Sequence, residues 1–118
     1  MTKVIAVALA LLWTGTACCA QDTAADAAKG KILAENNCAI CHAIGKTGTS
    51  ALPIAPAFRD LALGYDPSEL EDAFNDGVAA DHPAMPDWQM TPDEASQLSA
   101  YIMSLRSAGK LRTDFQVP

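Results

Sequence analysis

The chain has 118 residues, of which 50% are hydrophobic and 19% are charged, a composition typical of one globular domain rather than of a disordered chain or a large multidomain enzyme. The net charge of −6 at pH 7 argues against binding to nucleic acid or to anionic membrane surfaces, because phosphate binding needs clustered basic side chains. Only 6% of the residues are aromatic, so the core is either small or filled in part by a bound group.

Residues 1–20 have the pattern of an export signal. A single lysine supplies the positive charge, and the apolar run Val4–Leu12 is too short to span the ~30 Å hydrocarbon core of a membrane. Small residues follow the run, so we expect cleavage after Ala20, which leaves residues 21–118 as a single exported domain. The alternative is a lipoprotein signal, in which Cys18 is acylated and the mature chain stays anchored to lipid.

Three helices are predicted from the periodicity of apolar residues and from capping residues. The first weakens at two consecutive asparagines, which are poor helix formers. In the second and the third, a capping residue is followed by proline at the first helical position and by glutamate at the third, and a glycine ends each helix. These signals place the helices at Ala24–Asn36, Asp66–Gly77 and Thr91–Gly109.

Two long stretches between these helices lack a regular pattern. Residues 45–56 contain two glycines and two prolines, and residues 79–92 contain three prolines. No alternating apolar run predicts a strand, so the predicted fold is all-α. Long loops inside a compact domain usually pack against something functional, and together with the small number of aromatic residues they indicate a bound group.

Cys38, Cys41 and His42 form a C-x-x-C-H sequence, the attachment signal of a c-type haem. Two thiols about one helical turn apart can add to the two vinyl groups of the porphyrin, and the imidazole that follows can bind its iron. Three other interpretations are weaker. A disulfide across two intervening residues would be strained. A thioredoxin-like pair needs a βαβ context. A zinc site needs two further ligands, and His82 is the only histidine besides His42 that could supply one.

Several further motifs accompany the C-x-x-C-H sequence. They are Gly30 in the first helix, Pro56, Phe74-x-x-Gly77, Met85-Pro86-x-Trp88, and Leu98-x-x-Tyr101-Ile102 in the last helix. Their order and spacing resemble the small class I cytochromes c of the single-haem bacterial kind, over the whole mature chain. The resemblance implies an all-α domain in which three or more short helices and long loops surround one covalent haem c. One position departs from the family pattern, since Ala34 stands where an aromatic residue is usual.

The resemblance makes His42 one axial ligand of the haem iron and requires a second ligand across the ring. Met85 lies in a loop stiffened by prolines and matches the family's ligand methionine by position, so Met85 is preferred. A methionine ligand implies a more positive reduction potential than a second histidine does. The alternatives are His82, Met103 on the last helix, and Met90, which is expected to pack on Ala95 as a hydrophobic staple.

Three further residues are expected to support the haem. The resemblance assigns the carbonyl of Pro56 as the acceptor of the Nδ1–H of His42, with Pro53 as a less favoured alternative. The indole N–H of Trp88 and the guanidinium of Arg59 are candidates for contacts with the haem propionates. The competing interpretations are loop packing for Trp88 and a surface position for Arg59.

The pattern as a whole predicts a periplasmic carrier of single electrons between respiratory or dehydrogenase partners, with no residue assigned to catalysis. The alternative is a haem-based gas sensor or haem enzyme, which needs a displaceable sixth ligand. A subunit dedicated to one dehydrogenase would use the same haem chemistry. Acidic residues concentrate between Asp66 and Asp87, so the protein redox partner is expected to present a basic or neutral docking face.

Overall fold

The computed structural model describes residues 19–77, 85–86 and 88–106. These residues form four α-helices, and no strand occurs among them, so the all-α prediction is confirmed. None of the helices in this part of the chain is long and apolar enough to cross a membrane. Residues 1–18 of the expected signal, with Cys18, lie outside the described residues, as do His82 and Gly109. The helices are α1 (Cys19–Asn37), α2 (Phe58–Gly64), α3 (Pro67–Asp76) and α4 (Pro92–Ser104).

The ends of two helices differ from the prediction. Helix α1 begins at Cys19 rather than at Ala24 and so includes the last two residues of the expected signal. Helix α4 ends at Ser104, and the predicted end at Gly109 is wrong. The backbone N–H groups of Leu105 and Arg106 donate to carbonyls three residues earlier, at 3.0 and 3.1 Å. Such bonds tighten the last turn and close the helix.

Helices α3 and α4 begin as their sequences predict. In α3 the carboxylate of Glu69 accepts the N–H of Asp66 at 2.8 Å, and in α4 the carboxylate of Glu94 accepts the N–H of Thr91 at 2.9 Å. Both contacts belong to capping boxes with proline in the first turn. Helix α3 ends at Asp76 and is followed by the C-cap residue Gly77, whose φ of 88° suits glycine because it has no Cβ.

Helix α2 has no counterpart in the sequence prediction. Its N-cap residue makes no side-chain hydrogen bond, and seven residues are too few for a helix to be stable in isolation. Its stability comes from tertiary contacts instead. Phe58 and Ala62 are buried, and the guanidinium of Arg106 donates from Nε to the carbonyl of Ala62 at 2.6 Å and from Nη2 to that of Tyr65 at 2.7 Å.

Helix α4 lies at the centre of the fold and packs against each of the other three helices. Leu98 and Ile102 are its largest fully buried side chains, and the hydroxyl of Ser99, a buried residue, donates to the carbonyl of Pro67 at 3.0 Å. The core joins all four helices and holds few aromatic rings. Its members are Ala34, Cys38, Phe58, Ala62, Leu70, Phe74, Ala95, Leu98, Tyr101, Ile102 and Leu105.

Helices α1 and α4 approach closely at Gly30. A Cβ added to Gly30 would overlap the carbonyl of Gln97 and come within 2.9 Å of Cβ of Tyr101. One turn later, Ala34 is fully buried in the core. The two helices therefore meet through small residues on α1, and Ala34 fits this contact without the aromatic side chain usual in the family.

The close approach predicts that Gly30→Ala destabilises the folded protein by ~1–3 kcal/mol, because the added methyl group forces the two helices apart. In a domain of this size each kcal/mol lowers the melting temperature by about 4–8 °C. The matched control is Gly64→Ala, whose Cβ would meet no atom within 4 Å. Thermal unfolding followed by circular dichroism checks the pair, and equal melting temperatures for the two variants would contradict the close approach.

Candidate functional site

The C-x-x-C-H sequence forms a helical turn directly after α1. The N–H of Cys38 donates to the carbonyl of Ala34 at 2.9 Å, which continues the helical pattern beyond Asn37. The carbonyl of Cys38 then accepts the N–H groups of Cys41 at 3.1 Å and of His42 at 2.9 Å. The two cysteines are thus one helical turn apart, as attachment to two vinyl groups requires.

Both cysteines are free thiols in the structure. Cys38 is buried and Cys41 is half-buried, and burial raises the pKa of the Cys38 thiol to about 11 because the thiolate loses its hydration. A redox pair or a thiolate metal site needs a lowered thiol pKa, and among the described residues no group of three His, Cys, Asp or Glu side chains could hold a metal ion. The environment of Cys38 therefore argues against both of these alternatives.

The side chain of His42 is oriented by two contacts. Its Nδ1 lies 2.7 Å from the carbonyl oxygen of Pro56, a distance at which the ring donates from Nδ1, because a carbonyl can only accept. The ring of Phe58 packs beside it, with ring centroids 5.4 Å apart and planes inclined by 51°. Nε2 is consequently the ring nitrogen with a lone pair available to a metal.

The loop after His42 is folded back onto the motif by backbone hydrogen bonds. The N–H of Leu52 donates to the carbonyl of Cys41 at 3.1 Å. Ala43 is bonded on both sides, since its N–H donates to Oγ of Ser50 at 2.9 Å and its carbonyl accepts the N–H of Phe58 at 2.9 Å. These bonds hold the Pro56 carbonyl at the imidazole. No motif in the sequence identified Ser50 or Phe58, since a serine in a loop and one aromatic after it are common.

Helix α4 also supports the site. The hydroxyl of Tyr101 donates to the carbonyl of Ile44 at 2.8 Å, which ties the last helix to the segment that follows His42. Burial is the main cause of the raised pKa of the Tyr101 phenol, so the hydroxyl keeps its proton over the physiological range. The sequence motif placed Tyr101 in the last helix and did not predict this hydrogen bond.

Arg59 differs from the other described arginine. Its Nη1 is buried and has no hydrogen-bond partner among the described residues, whereas Arg106 donates to two backbone carbonyls. A buried guanidinium nitrogen without an acceptor costs free energy, and a carboxylate would relieve it most effectively. Arg59 directly follows Phe58, whose ring packs beside His42.

The structure also describes three methionines and Trp88. Met90, Met103 and Trp88 are partly buried and pack against the core, and Met90 shares that core with Ala95. Met85 is half-buried and is not among the residues packed against the core. No hydrogen bond or ring contact joins Met85 or Trp88 to His42 in the part of the chain that the structure describes.

The residues brought together fit a covalent haem. They offer two free thiols one helical turn apart, an imidazole with Nε2 available, and a buried guanidinium nitrogen that requires an acceptor. These groups match the vinyl groups, the iron and a propionate of a haem in chemical type. Of the expected site residues, Cys38, Cys41, His42 and Pro56 lie in direct contact or within one turn of one another.

Comparisons with known proteins agree with this chemistry. Residues 25–102 match the family profile described as "Cytochrome C oxidase, cbb3-type, subunit III". The chain is 37% identical over 83 residues to cytochrome c-552 of Bradyrhizobium diazoefficiens, a match that covers 70% of this chain and 78% of that protein. It is 32% identical over 97 residues to cytochrome c55X of Paracoccus denitrificans, a match that covers 80% of this chain and 89% of that protein. No solved structure matches the chain significantly.

The family profile covers more than half of the chain, including the C-x-x-C-H turn and all four helices except the ends of α1 and α4. The two relatives match 70% and 80% of the chain. With its fold and its donor set, the chain therefore belongs to the c-type cytochromes, small single-haem proteins that carry covalently bound haem c and transfer electrons to and from protein partners.

Proposed function

We propose that the protein is a periplasmic carrier of single electrons whose haem iron is held between His42 and Met85. The observation that carries the proposal is the fixed imidazole of His42, donating to Pro56 at 2.7 Å beside two free thiols in one turn. Bound haem supplies a one-electron iron couple. Cys38 and Cys41 hold it by thioether bonds, which prevent its loss by dilution outside the cytoplasm.

His42 acts as the proximal ligand through Nε2. Donation from Nδ1 to the Pro56 carbonyl sets the tautomer and the orientation of the ring, so that Nε2 keeps its lone pair for a metal. The tilted ring of Phe58, 5.4 Å away, restricts rotation of the imidazole. A ligand fixed in this way needs little rearrangement when the iron gains or loses an electron, which suits a carrier.

Met85 is the proposed second axial ligand. Packing against the core accounts for Met90 and Met103, which leaves Met85 as the described methionine without such a role. Pro86 follows it and restricts the backbone of the loop. A thioether is a soft donor that favours reduced iron, so the potential is expected to be fairly positive. Occupation of both axial positions favours electron transfer over gas sensing.

Arg59 and Trp88 are the proposed partners of the haem propionates. A propionate would supply the acceptor that the buried Nη1 of Arg59 requires, and it would make a charge-assisted hydrogen bond there. Trp88 packs against the core, and its indole N–H has no acceptor among the described residues. A propionate would satisfy that donor as well.

The proposed location is the periplasm, with residues 1–20 as the signal that is removed. The support is the sequence pattern of that segment. Covalent attachment of the haem also suits a protein outside the cytoplasm, where a dissociated haem would be lost by dilution. Acylation of Cys18 would instead leave the same domain anchored to lipid. In either case the partners are redox proteins, and the net charge of −6 suits a basic or neutral docking face.

Removal of either thiol tests the covalent attachment. Cys38→Ser and Cys41→Ser should each leave at most one thioether, and the double variant should hold no haem after denaturation, because serine cannot form the bond. Ala39→Ser, inside the same turn, is the matched control and should keep both bonds. Mass spectrometry of the denatured proteins provides the measurement. Full covalent haem in the double variant would contradict the assignment.

Replacement of the axial methionine tests the ligand pair. Met85→Ala should keep the covalent haem, lose the weak absorption band that marks methionine coordination in this family, bind carbon monoxide readily and lower the midpoint potential. Met90→Ala should leave the band and the potential unchanged, because Met90 packs against the core. An exchange of the two phenotypes would make Met90 the ligand. Ready binding of carbon monoxide by the unaltered protein would favour the sensor.

Loss of the Arg59 charge tests the propionate contact. Arg59→Gln should lower the midpoint potential by on the order of tens of millivolts, because a nearby positive charge favours the reduced and more negative haem. Arg106→Gln removes the same charge from a guanidinium that bonds to backbone carbonyls, so it should lower stability and leave the potential almost unchanged. Redox titration checks both variants, and equal shifts would place Arg59 away from the propionates.

A further inference from the structure

The hydroxyl of Ser50 accepts a backbone N–H directly beside the haem-attachment turn. The N–H of Ala43 donates to Oγ of Ser50 at 2.9 Å, although Ser50 lies seven positions further along the chain. Residues 46–49 between them are exposed, and Gly48 turns the chain back with a φ of 95°, a conformation that suits glycine. The loop therefore returns a half-buried side chain to the residue that follows His42.

This contact ends the helical turn at His42. In a continued helix, the N–H of Ala43 would donate to the carbonyl four residues earlier, that of Ala39. The N–H of His42 still follows the helical pattern, since it donates to the carbonyl of Cys38 at 2.9 Å, whereas the N–H of Ala43 donates to Ser50. Ser50 thus replaces the helical acceptor for the first N–H beyond the haem-attachment residues.

The two peptide groups that flank His42 are both held by hydrogen bonds. A peptide group is planar, so a hydrogen bond to its N–H fixes the orientation of the whole group. The carbonyl of Cys38 fixes the group before His42, and Ser50 fixes the group after it. Together they set the direction in which the side chain of His42 leaves the backbone. The carbonyl of Pro56, 2.7 Å from Nδ1, then sets the rotation of the ring.

Ser50 and Pro56 are also linked through Ala43. The N–H of Ala43 is bound to Ser50, and its carbonyl accepts the N–H of Phe58 at 2.9 Å, two residues after Pro56. A rotation of Ala43 would therefore move Phe58 and the neighbouring carbonyl of Pro56. Loss of the hydroxyl would favour such a rotation, because the N–H of Ala43 would be left without its acceptor.

We propose that Ser50 is a positioning residue for the axial histidine: its hydroxyl holds the peptide group after His42 and thereby keeps the Nδ1–H of the imidazole on the carbonyl of Pro56. The proposal rests on the proposed function, in which His42 binds the haem iron through Nε2. Ser50 acts through Ala43, because the imidazole has its own partners in Pro56 and Phe58. Hydrogen bonds around an axial ligand are one means by which a protein sets the reduction potential.

Three variants separate the hydroxyl of Ser50 from the rest of its side chain and from general stability. Ser50→Ala removes the acceptor, and Ser50→Thr keeps it and adds one methyl group. The matched control is Ser99→Ala, which removes a hydroxyl that donates to a backbone carbonyl at 3.0 Å in the contact between α3 and α4. Both alanine variants lose one hydrogen bond between a serine and the backbone, and Ser50→Ala loses it beside His42.

Proton exchange at the ring of His42 measures its positioning directly. The haem-loaded proteins are prepared with isotopically labelled histidine and reduced chemically, and NMR gives the rate at which the Nδ1–H exchanges with water. Redox titration gives the midpoint potential, and circular dichroism gives the melting temperature. The exchange rate and the potential report on the imidazole, whereas the melting temperature reports on the fold as a whole.

We expect the Nδ1–H of His42 to exchange about three- to tenfold faster in Ser50→Ala than in the unaltered protein, since its bond to Pro56 opens more easily. The ratio of reduced to oxidised protein at a fixed potential should rise by about twofold, because a weaker bond at Nδ1 lowers electron donation from the imidazole to oxidised iron. Ser50→Thr should restore both quantities. Ser99→Ala should lower the melting temperature and leave both quantities unchanged.

Two results would overturn the proposal. One is an equal exchange rate in Ser50→Ala and Ser99→Ala, which would make the role of Ser50 purely structural. The other is equally fast exchange in Ser50→Thr and Ser50→Ala, which would show that the hydroxyl is not the group that acts. Failure of the electron-carrier function is a separate result, in which the unaltered protein is not reduced and reoxidised reversibly in the titration. The exchange rates would still decide the role of Ser50 in that case.

Discussion

The hydrogen bond from His42 to the carbonyl of Pro56 is the contact on which the rest of the site depends. It joins the turn that carries the cysteines to the loop that leads into α2, and it decides which ring nitrogen can bind metal. The loop reaches this position through the bonds of Leu52 to Cys41 and of Phe58 to Ala43. The segment therefore serves as a support for one imidazole, and its irregular backbone follows from that task.

Helix α4 and Arg106, which follows its C-cap, organise the remaining parts by side-chain hydrogen bonds to the backbone of three other segments. Tyr101 donates to the segment after His42, Ser99 donates to the first turn of α3, and Arg106 donates to the end of α2. The carbonyls of Ile44 and Ala62 that accept two of these bonds are ones that regular secondary structure leaves free. A small core with few aromatic residues can hold its shape because these polar contacts specify where each segment lies.

The parts of the fold that sequence could predict are those set by local chemistry. The capping boxes at Asp66 and Thr91 and the stop at Gly77 depend on a few neighbouring residues, and the structure contains all three. Helix α2 was missed because contacts from Arg106 and the core stabilise it, and these contacts come from distant positions in the chain. The haem-attachment residues could be named because their spacing reflects a covalent reaction. Ser50 and the unpartnered nitrogen of Arg59 became visible only in three dimensions.

The contact between α1 and α4 has a consequence for the order of events during folding. Gly30 and Gln97 are in contact, although most of the domain's sequence lies between them. The contact therefore closes a long loop, which is entropically unfavourable, and it forms only once the last helix is available. In the closed domain Cys38 is 4% exposed, and this burial raises the pKa of its thiol to about 11. Because the closed core covers Cys38, its thiol is more accessible to a cofactor in the open chain than in the folded domain.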